Sequence, residues 1–380
     1  MNTNRIWLSL AHMGGREQEF IQQAFETNWI TSTGPNVDGF EQSLETFLGN
    51  GVHVAAVISG TAALHLSLIL LGVKPDDEVI CQSFTFSASC NPICYQGAVP
   101  VFVDSEKDTW NISPEFLEAA ICARIKKGKK PKAIIPVHLY GMPAKMKEIL
   151  SIANHYEIPV VEDAAEALGS MYGGMPCGTL GEMAVLSFNG NKIITTSGGG
   201  ALVSNNEEYC TKARFLATQA RDAAPYYQHS QIGYNYRMSN IVAGIGRGQM
   251  QVLPDRILRR RSNNQFYRNC LAGIDGITFQ NEPAPAFYSN YWLTTIIVDS
   301  EKTGGITCED LRLALENANI ESRPLWKPMH LQQVFSHYPY YGENVCEKLF
   351  DTGLCLPSGS LLTEDDLKRV ADVIRTTLRV

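Results

Sequence analysis

The strongest constraint on the fold is a repeating alternation along the chain. Short β-branched runs recur at Val54–Ile58, Glu78–Cys81, Val99–Asp104, Ala133–His138, Pro159–Asp163 and Ala184–Phe188. Helix-length segments separate them, among them Ala62–Leu71, Pro114–Lys126, Met146–Tyr156 and Cys210–Arg221. Strands alternating with helices build βαβ units, so the expected fold class is α/β, a mainly parallel sheet covered by helices on both faces.

The length of 380 residues predicts two domains. The character of the chain changes near residue 250. Pro254 is followed by an arginine-rich segment, Asp255 to Asn269, then a strand at Trp292–Val298 and helices at Cys308–Asn319 and Glu364–Leu378. The expected division is 1–250 for a large domain and 251–380 for a smaller C-terminal α/β domain. The arginine-rich helix is expected to present a solvated face rather than a nucleic-acid site. The formal net charge of −7 agrees with that. The most apolar stretch, Val54 to Val73, is interrupted by Ser59, Gly60, Thr61, His65 and Ser67, so no membrane insertion is expected. Residues 1–15 are too weakly basic for a secretory signal. Ten Cys without a C-x-x-C pair predict no metal site and a reducing, cytoplasmic setting.

The residues that follow each strand carry the functional signal. Val57-Ile58 leads into Ser59-Gly60-Thr61-Ala62, and Val79-Ile80 into Ser83-Phe84-Thr85-Phe86. Further runs end at His138, at Glu162-Asp163 and at Ser187. Ordinary turn and cap chemistry explains any one of these. Together they favour one ligand crevice, because open α/β sheets bind ligands beyond the carboxyl ends of their strands.

Lys192 lies just past a predicted strand and precedes hydroxyls and the run Gly198-Gly199-Gly200. A lysine so placed can be desolvated and made nucleophilic toward a carbonyl, and glycines permit close backbone approach. Alone it reads equally as a surface charge. Asp163 ends an apolar run, and a buried carboxylate needs a cationic partner such as a protonated pyridine nitrogen. It reads otherwise as the N-cap of an alanine-rich helix. Ser59-Gly60-Thr61-Ala62 offers backbone N–H groups at a helix N-terminus, a phosphate site without the P-loop or dinucleotide fingerprint. Ser187 adds a hydroxyl. Phe86 is placed to stack on a flat ring, or to be core.

These motifs, with His138-Leu139-Tyr140-Gly141, Glu162-Asp163-Ala164-Ala165 and Gly233-Tyr234-Asn235-Tyr236-Arg237, resemble those of the DegT/StrS-type (DnrJ-like) nucleotide-sugar aminotransferases. These are fold-type I pyridoxal 5'-phosphate enzymes, and the resemblance covers nearly the whole chain. It implies that Lys192 is the Schiff-base lysine and proton shuttle, that Asp163 pairs with the pyridinium and that Phe86 stacks on the ring. It implies that Thr61, Ala62 and Ser187 grip the phosphate. Asn235 matches an asparagine reaching the neighbouring subunit's phosphate, which implies a homodimer with sites at its interface. Two positions depart from the pattern: Glu166 stands where many members have Gln beside the cofactor's phenolic oxygen, and Asn189 where many have His. A carboxylate beside a phenolate predicts a raised Glu166 pKa or a shared proton.

His12-Met13-Gly14-Gly15, Asn189-Gly190-Asn191-Lys192, Arg323 through His330 and Leu356-Pro357-Ser358-Gly359 are similar to the aminotransferases of the UDP-bacillosamine route. That similarity implies transfer from L-glutamate, through pyridoxamine phosphate, to C4 of a UDP-4-keto-6-deoxy-N-acetylhexosamine. The product would be UDP-4-amino-4,6-dideoxy-N-acetyl-D-glucosamine, used in bacterial glycan synthesis. Arg237, Trp326, Lys327 and His330 are the substrate candidates, since cations suit a diphosphate and an aromatic suits a sugar or base. Domain packing explains the same cluster equally well. A different 4-keto or 3-keto nucleotide sugar, UDP- or dTDP-linked, is the alternative substrate. Related dehydratases replace the lysine with His, so Lys192 argues against dehydration. A cofactor-holding regulator and a nicotinamide oxidoreductase are the remaining classes, the second opposed by the missing glycine fingerprint.

Overall fold

The computed structural model describes residues 4–49 and 51–380. Seven strands make the large sheet: β1 (His53–Val57), β2 (Glu78–Gln82), β3 (Val99–Val103), β4 (Ala133–Ile135), β5 (Val161–Asp163), β6 (Met183–Ser187) and β7 (Gly200–Ser204). Two ladders, β1-β7-β6-β5 and β4-β2-β3, join where Ile134 pairs with Val160 and Val137 with Asp163. The spatial order is therefore β1-β7-β6-β5-β4-β2-β3. The pairs β6–β5, β4–β2 and β2–β3 are parallel, and β7 alone runs antiparallel to both its neighbours. The predicted parallel sheet is present, with β7 as an unpredicted member.

Side chains along each strand alternate between the two faces. Ala55, Val57, Val79, Cys81, Val185 and Leu202 pack on one side with helices Gly60–Leu70 and Glu207–Ala217. Val54, Ala56, Ala184, Leu186 and Val203 pack on the other with Pro35–Leu48. Ile80, Val101 and Ile134 meet Pro114–Lys126 and Met146–His155. Helix Pro114–Lys126 starts where the sequence says it should. Ser113 Oγ accepts from Phe116 N–H, Pro114 needs no donor, and Arg124 and Lys126 sit in the last turn.

A second, antiparallel sheet orders Ile277–Phe279, Thr294–Val298, Gly353–Leu356 and Arg323–Pro324. Helices Leu253–Cys270, Cys308–Asn317 and Glu364–Leu378 contribute to its core. Strand pairing also crosses residue 250. Ile6 is buried in this second core and bridges Ile320, and Tyr340–Tyr341 adds a parallel strand beside β3.

The arginine-rich helix presents a solvated face through Asp255, Leu258, Arg259, Ser262, Gln265 and Asn269, but its other arginines are buried or half-buried. Arg260 is 1% exposed. Arg256 donates to Met13 O, Arg259 to Leu362 O, Arg261 to Glu282 and Ser289 O, and Arg268 to Asn264 and Gln280 O. The charges are spent on backbone carbonyls of neighbouring segments. No helix among the described residues is long and apolar enough to cross a membrane.

Candidate active site

The carboxyl ends of β1, β2, β4, β5 and β6 open on one cleft of about 240 Å³. Ser59, Gly60, Thr61, Phe86, Ser89, Asp163, Glu166, Ser187, Asn189 and Lys192 all line it. They arrive from four strand ends, those of β1, β2, β5 and β6, which is why residues as far apart as Ser59 and Lys192 meet.

Asp163 closes β5 and is nearly buried. Ser89 Oγ donates to its Oδ2 at 2.6 Å, and Ala165 N–H to its Oδ1 at 3.1 Å. Thr85 Oγ1 lies 2.7 Å behind Ser89 and donates to it. No helix follows Asp163; residues 164–169 are turns, so its N-cap role falls away. The preceding residue faces elsewhere. Glu162 is fully buried against His138 Nε2 at 2.8 Å and the N–H groups of Gly178, Leu180 and Gly181. Burial pushes Glu162 up, but His138 and these N–H groups outweigh it and hold it below the usual carboxylate range.

Glu166 is buried beside Lys192. Its Oε2 accepts from Tyr140 N–H at 2.7 Å, and its Oε1 lies 3.4 Å from Lys192 Nζ. Burial pushes the Glu166 carboxyl above its ordinary value, and the neighbouring Lys192 and Tyr140 N–H only partly offset this. The Lys192 ammonium also lies 4.2 Å from the Trp292 ring centre.

Ser59 caps helix Gly60–Leu70 by accepting from Ala62 N–H at 3.0 Å. The Ala62 side chain is buried behind the cleft wall, whereas Gly60 and Thr61 line it. The last of the three glycines explains the close fit here. A Cβ at Gly200 would lie 2.3 Å from Gly60 N, so only glycine lets β7 pass behind this turn.

A second cavity of about 430 Å³ shares Asn191, Trp292 and Trp326 with the first. Arg323 and Lys327 stand on its wall. Trp326 is 5.2 Å from Phe86, ring centre to ring centre. Its buried Nε1 has no partner among the described residues.

Two substrate candidates lie away from both cavities. Arg237 lies outside both cavities, because its guanidinium is bound to Glu41 Oε1 at 2.5 Å and Ala56 O at 2.9 Å. His330 lies outside them too, held by Ser83 Oγ at 2.7 Å and Glu347 at 3.1 Å and stacked on Tyr340. Asn235 is exposed and is not part of the cleft. Ser89, Trp292 and Arg260 had no sequence signal: none sits in a motif that names it.

Residues 12–375 match the model of the DegT/DnrJ/EryC1/StrS aminotransferase family. The chain belongs to this family. It is 53% identical over 374 residues to the putative pyridoxal phosphate-dependent aminotransferase EpsN of Bacillus subtilis, covering 97% of this chain and 95% of that one. It is 36% identical to the GDP-perosamine synthase of Caulobacter vibrioides, covering 96% of each. Among solved structures, the pyridoxal-phosphate form of the putative sugar aminotransferase Spr1654 from Streptococcus pneumoniae superposes with a TM-score of 0.90 at 26% identity over 99% of both chains. The enzyme is thus a pyridoxal-phosphate-dependent sugar aminotransferase of fold type I.

The cleft suits that cofactor chemically. A helix N-terminus with Thr61 and Ser187 suits a phosphate. A buried carboxylate suits a pyridinium, and an amine suits an aldehyde. Phe86 stands 51% exposed at the cleft, an aromatic face available to a flat ring.

Proposed function

We propose that this enzyme transfers an amino group from L-glutamate to C4 of a UDP-4-keto-6-deoxy-N-acetylhexosamine, giving UDP-4-amino-4,6-dideoxy-N-acetyl-D-glucosamine. The observation that carries the reading is one cleft holding Lys192, Asp163 and a helix N-terminus, with a second cavity lined by Arg323 and Lys327 opening from it. Pyridoxal phosphate, when bound, supplies an electrophilic carbon and an electron sink.

The chain supplies the rest. Thr61, Ala62, Ser187 and the Gly60–Leu70 N-terminus hold the phosphate. Asp163, which accepts from Ser89, holds a proton on the ring nitrogen, and Phe86 covers the ring face. Glu166 shares a proton with the phenolic oxygen. Lys192 anchors the cofactor and moves the proton at sugar C4. Lys327 neutralises the diphosphate, with Arg323, already paired to Glu321, flanking it. Trp326 offers its unpartnered N–H and its ring face to the sugar or base.

Asn235 completes the phosphate site of a second copy, so the working form is a cytoplasmic homodimer. Tyr227 and Ile232, 81% and 85% exposed on the same segment, support a partner surface there. Residues 1–250 form the cofactor domain and 251–380 the smaller one.

A second substrate reading has one specific support. The relative named GDP-perosamine synthase favours a GDP-linked sugar in the same chemistry. Both are tested by incubating loaded enzyme and glutamate with UDP-, GDP- and dTDP-4-keto-6-deoxy sugars and reading the product by NMR. Amination of the UDP-N-acetyl sugar in preference to the others is expected. Preference for a GDP sugar refutes the UDP assignment, and failure of glutamate to change the cofactor's absorbance refutes the donor.

A further inference from the structure

Lys192 is held by more than a cofactor lysine needs. The carbonyl of Asn191, just before it, accepts from Ser9 Oγ at 2.7 Å and from the Trp292 indole N–H at 2.8 Å. Arg260 reaches in from the long helix and donates to Lys192 O at 3.4 Å, to Ser9 Oγ at 2.9 Å and to Trp292 O. Three segments far apart in sequence therefore converge on the two carbonyls that flank the Lys192 Cα. Trp292 is 1% exposed, and its N–H bond to Asn191 sets the orientation of its ring. That ring faces Lys192 Nζ at 4.2 Å. Its other stacking neighbour is Tyr140, nearly parallel at 15°.

We propose that the Trp292 ring is the resting site of the Lys192 ammonium whenever its nitrogen is not bonded to cofactor, with Arg260 and Ser9 as positioning residues that keep ring and lysine backbone in register. The inference rests on Lys192 being the cofactor lysine. During amino transfer the lysine must leave the cofactor, stay close and return. An aromatic face suits this task. It attracts the cation through its quadrupole but cannot take its proton, so the ammonium remains a proton donor. The charged and titratable groups around the lysine are Glu166 at 3.4 Å, Asp163 across the cleft, Arg260 on its carbonyl and Tyr140 behind Glu166. Glu166 alone would hold the ammonium from one side; the ring holds it from another.

The test uses full-length enzyme loaded with pyridoxamine phosphate, which leaves Lys192 free. Competitive labelling of amines with acetic anhydride across a pH series, read by peptide mass spectrometry, gives the midpoint of Lys192 protonation. The midpoint is expected to fall by about one pH unit in Trp292→Leu, the loss of a desolvated cation–π contact, and by less in Trp292→Phe, which keeps a ring. Circular dichroism establishes that each variant is folded. If Trp292→Leu does not fold, Trp292→Phe alone decides, through a fall or none. Midpoints equal to wild type in the folded variants overturn the proposal. Borohydride treatment of pyridoxal-phosphate-loaded wild type and peptide mapping form a separate control. Cofactor fixed on another residue defeats the Lys192 assignment itself, whereas cofactor on Lys192 with unchanged midpoints defeats only the role of Trp292.

Discussion

Replacing Arg237 by Met decides whether this guanidinium belongs to the frame or to the substrate. Arg237 and Glu41 have side chains 9% and 7% exposed, so their ion pair is shielded from water. Arg237 gives one charge-assisted bond to Glu41 and one to Ala56 O. Hydrogen bonds to charged groups are worth about 1.5–3 kcal/mol each. Removing one partner of a buried pair costs about 3–5 kcal/mol. Glu41 retains Arg214 and the Ala56 N–H, which puts the loss at the low end, about 3 kcal/mol. At roughly 2 °C per kcal/mol for a chain of this size, Tm falls by about 6 °C. Glu41→Gln should cost a similar amount. The double variant should fall short of the sum by about 1.5–3 kcal/mol, because the two side chains share one interaction. Thermal melts of the four proteins measure this, and steady-state kinetics measure KM for the nucleotide sugar. KM should stay within about twofold of wild type, since no substrate contact is lost. An unchanged Tm with a KM raised tenfold or more would refute the structural assignment and return Arg237 to the substrate.

Two further outcomes follow from the same geometry. Burial raises the Glu166 pKa, so its protonated form supports the fold at low pH, and that contribution is lost as pH rises from the unfolded value of about 4.3 through the folded one. Glu166→Gln should therefore flatten the decline of Tm with pH in cofactor-free protein above pH 4.3; a Tm difference that does not vary with pH speaks against it. Gly200→Ala places a Cβ 2.3 Å from Gly60 N and from Ser59 C, both backbone atoms that cannot swing aside. A loss of about 3 kcal/mol or more by urea unfolding is expected, as for overpacking at its worst, together with loss of bound cofactor; wild-type stability would contradict it.

The large sheet was legible because its strands are buried on both faces and so read as unbroken apolar runs. Boundaries failed where backbone chemistry intervened. The run Ala133–His138 stops pairing as a strand at Ile135, since Pro136 has no N–H to continue the ladder, although its carbonyl still accepts from Asp163 N–H. The strand Gly200–Ser204 was hidden behind its own leading glycines, which read as loop. The last of them, Gly200, is there because the strand passes against the Ser59–Gly60 turn, a contact no local pattern reveals. The arginines of helix Leu253–Cys270 show the same limit: a charge is visible in sequence, but the carbonyl that accepts from it is not.

The site shows the same limit at closer range. Glu162 and Asp163 are adjacent acids on one strand, and strand geometry sends neighbouring side chains to opposite faces. Only one of them can enter the cleft with this backbone. Composition cannot say which, since either carboxylate would suit a pyridinium. What separates them is what waits on each side: His138 and three N–H groups neutralise Glu162 inside the protein, while Asp163 meets a serine and the cleft. The acid already satisfied by the protein is structural, and the acid with capacity left over is free for a ligand. By that rule Arg237 and His330, both held by protein partners away from the cavities, are expected to be structural, and Lys327 and Trp326 to meet substrate. Residual bonding capacity at a cavity wall, rather than residue type, is therefore the property that marks function in this fold.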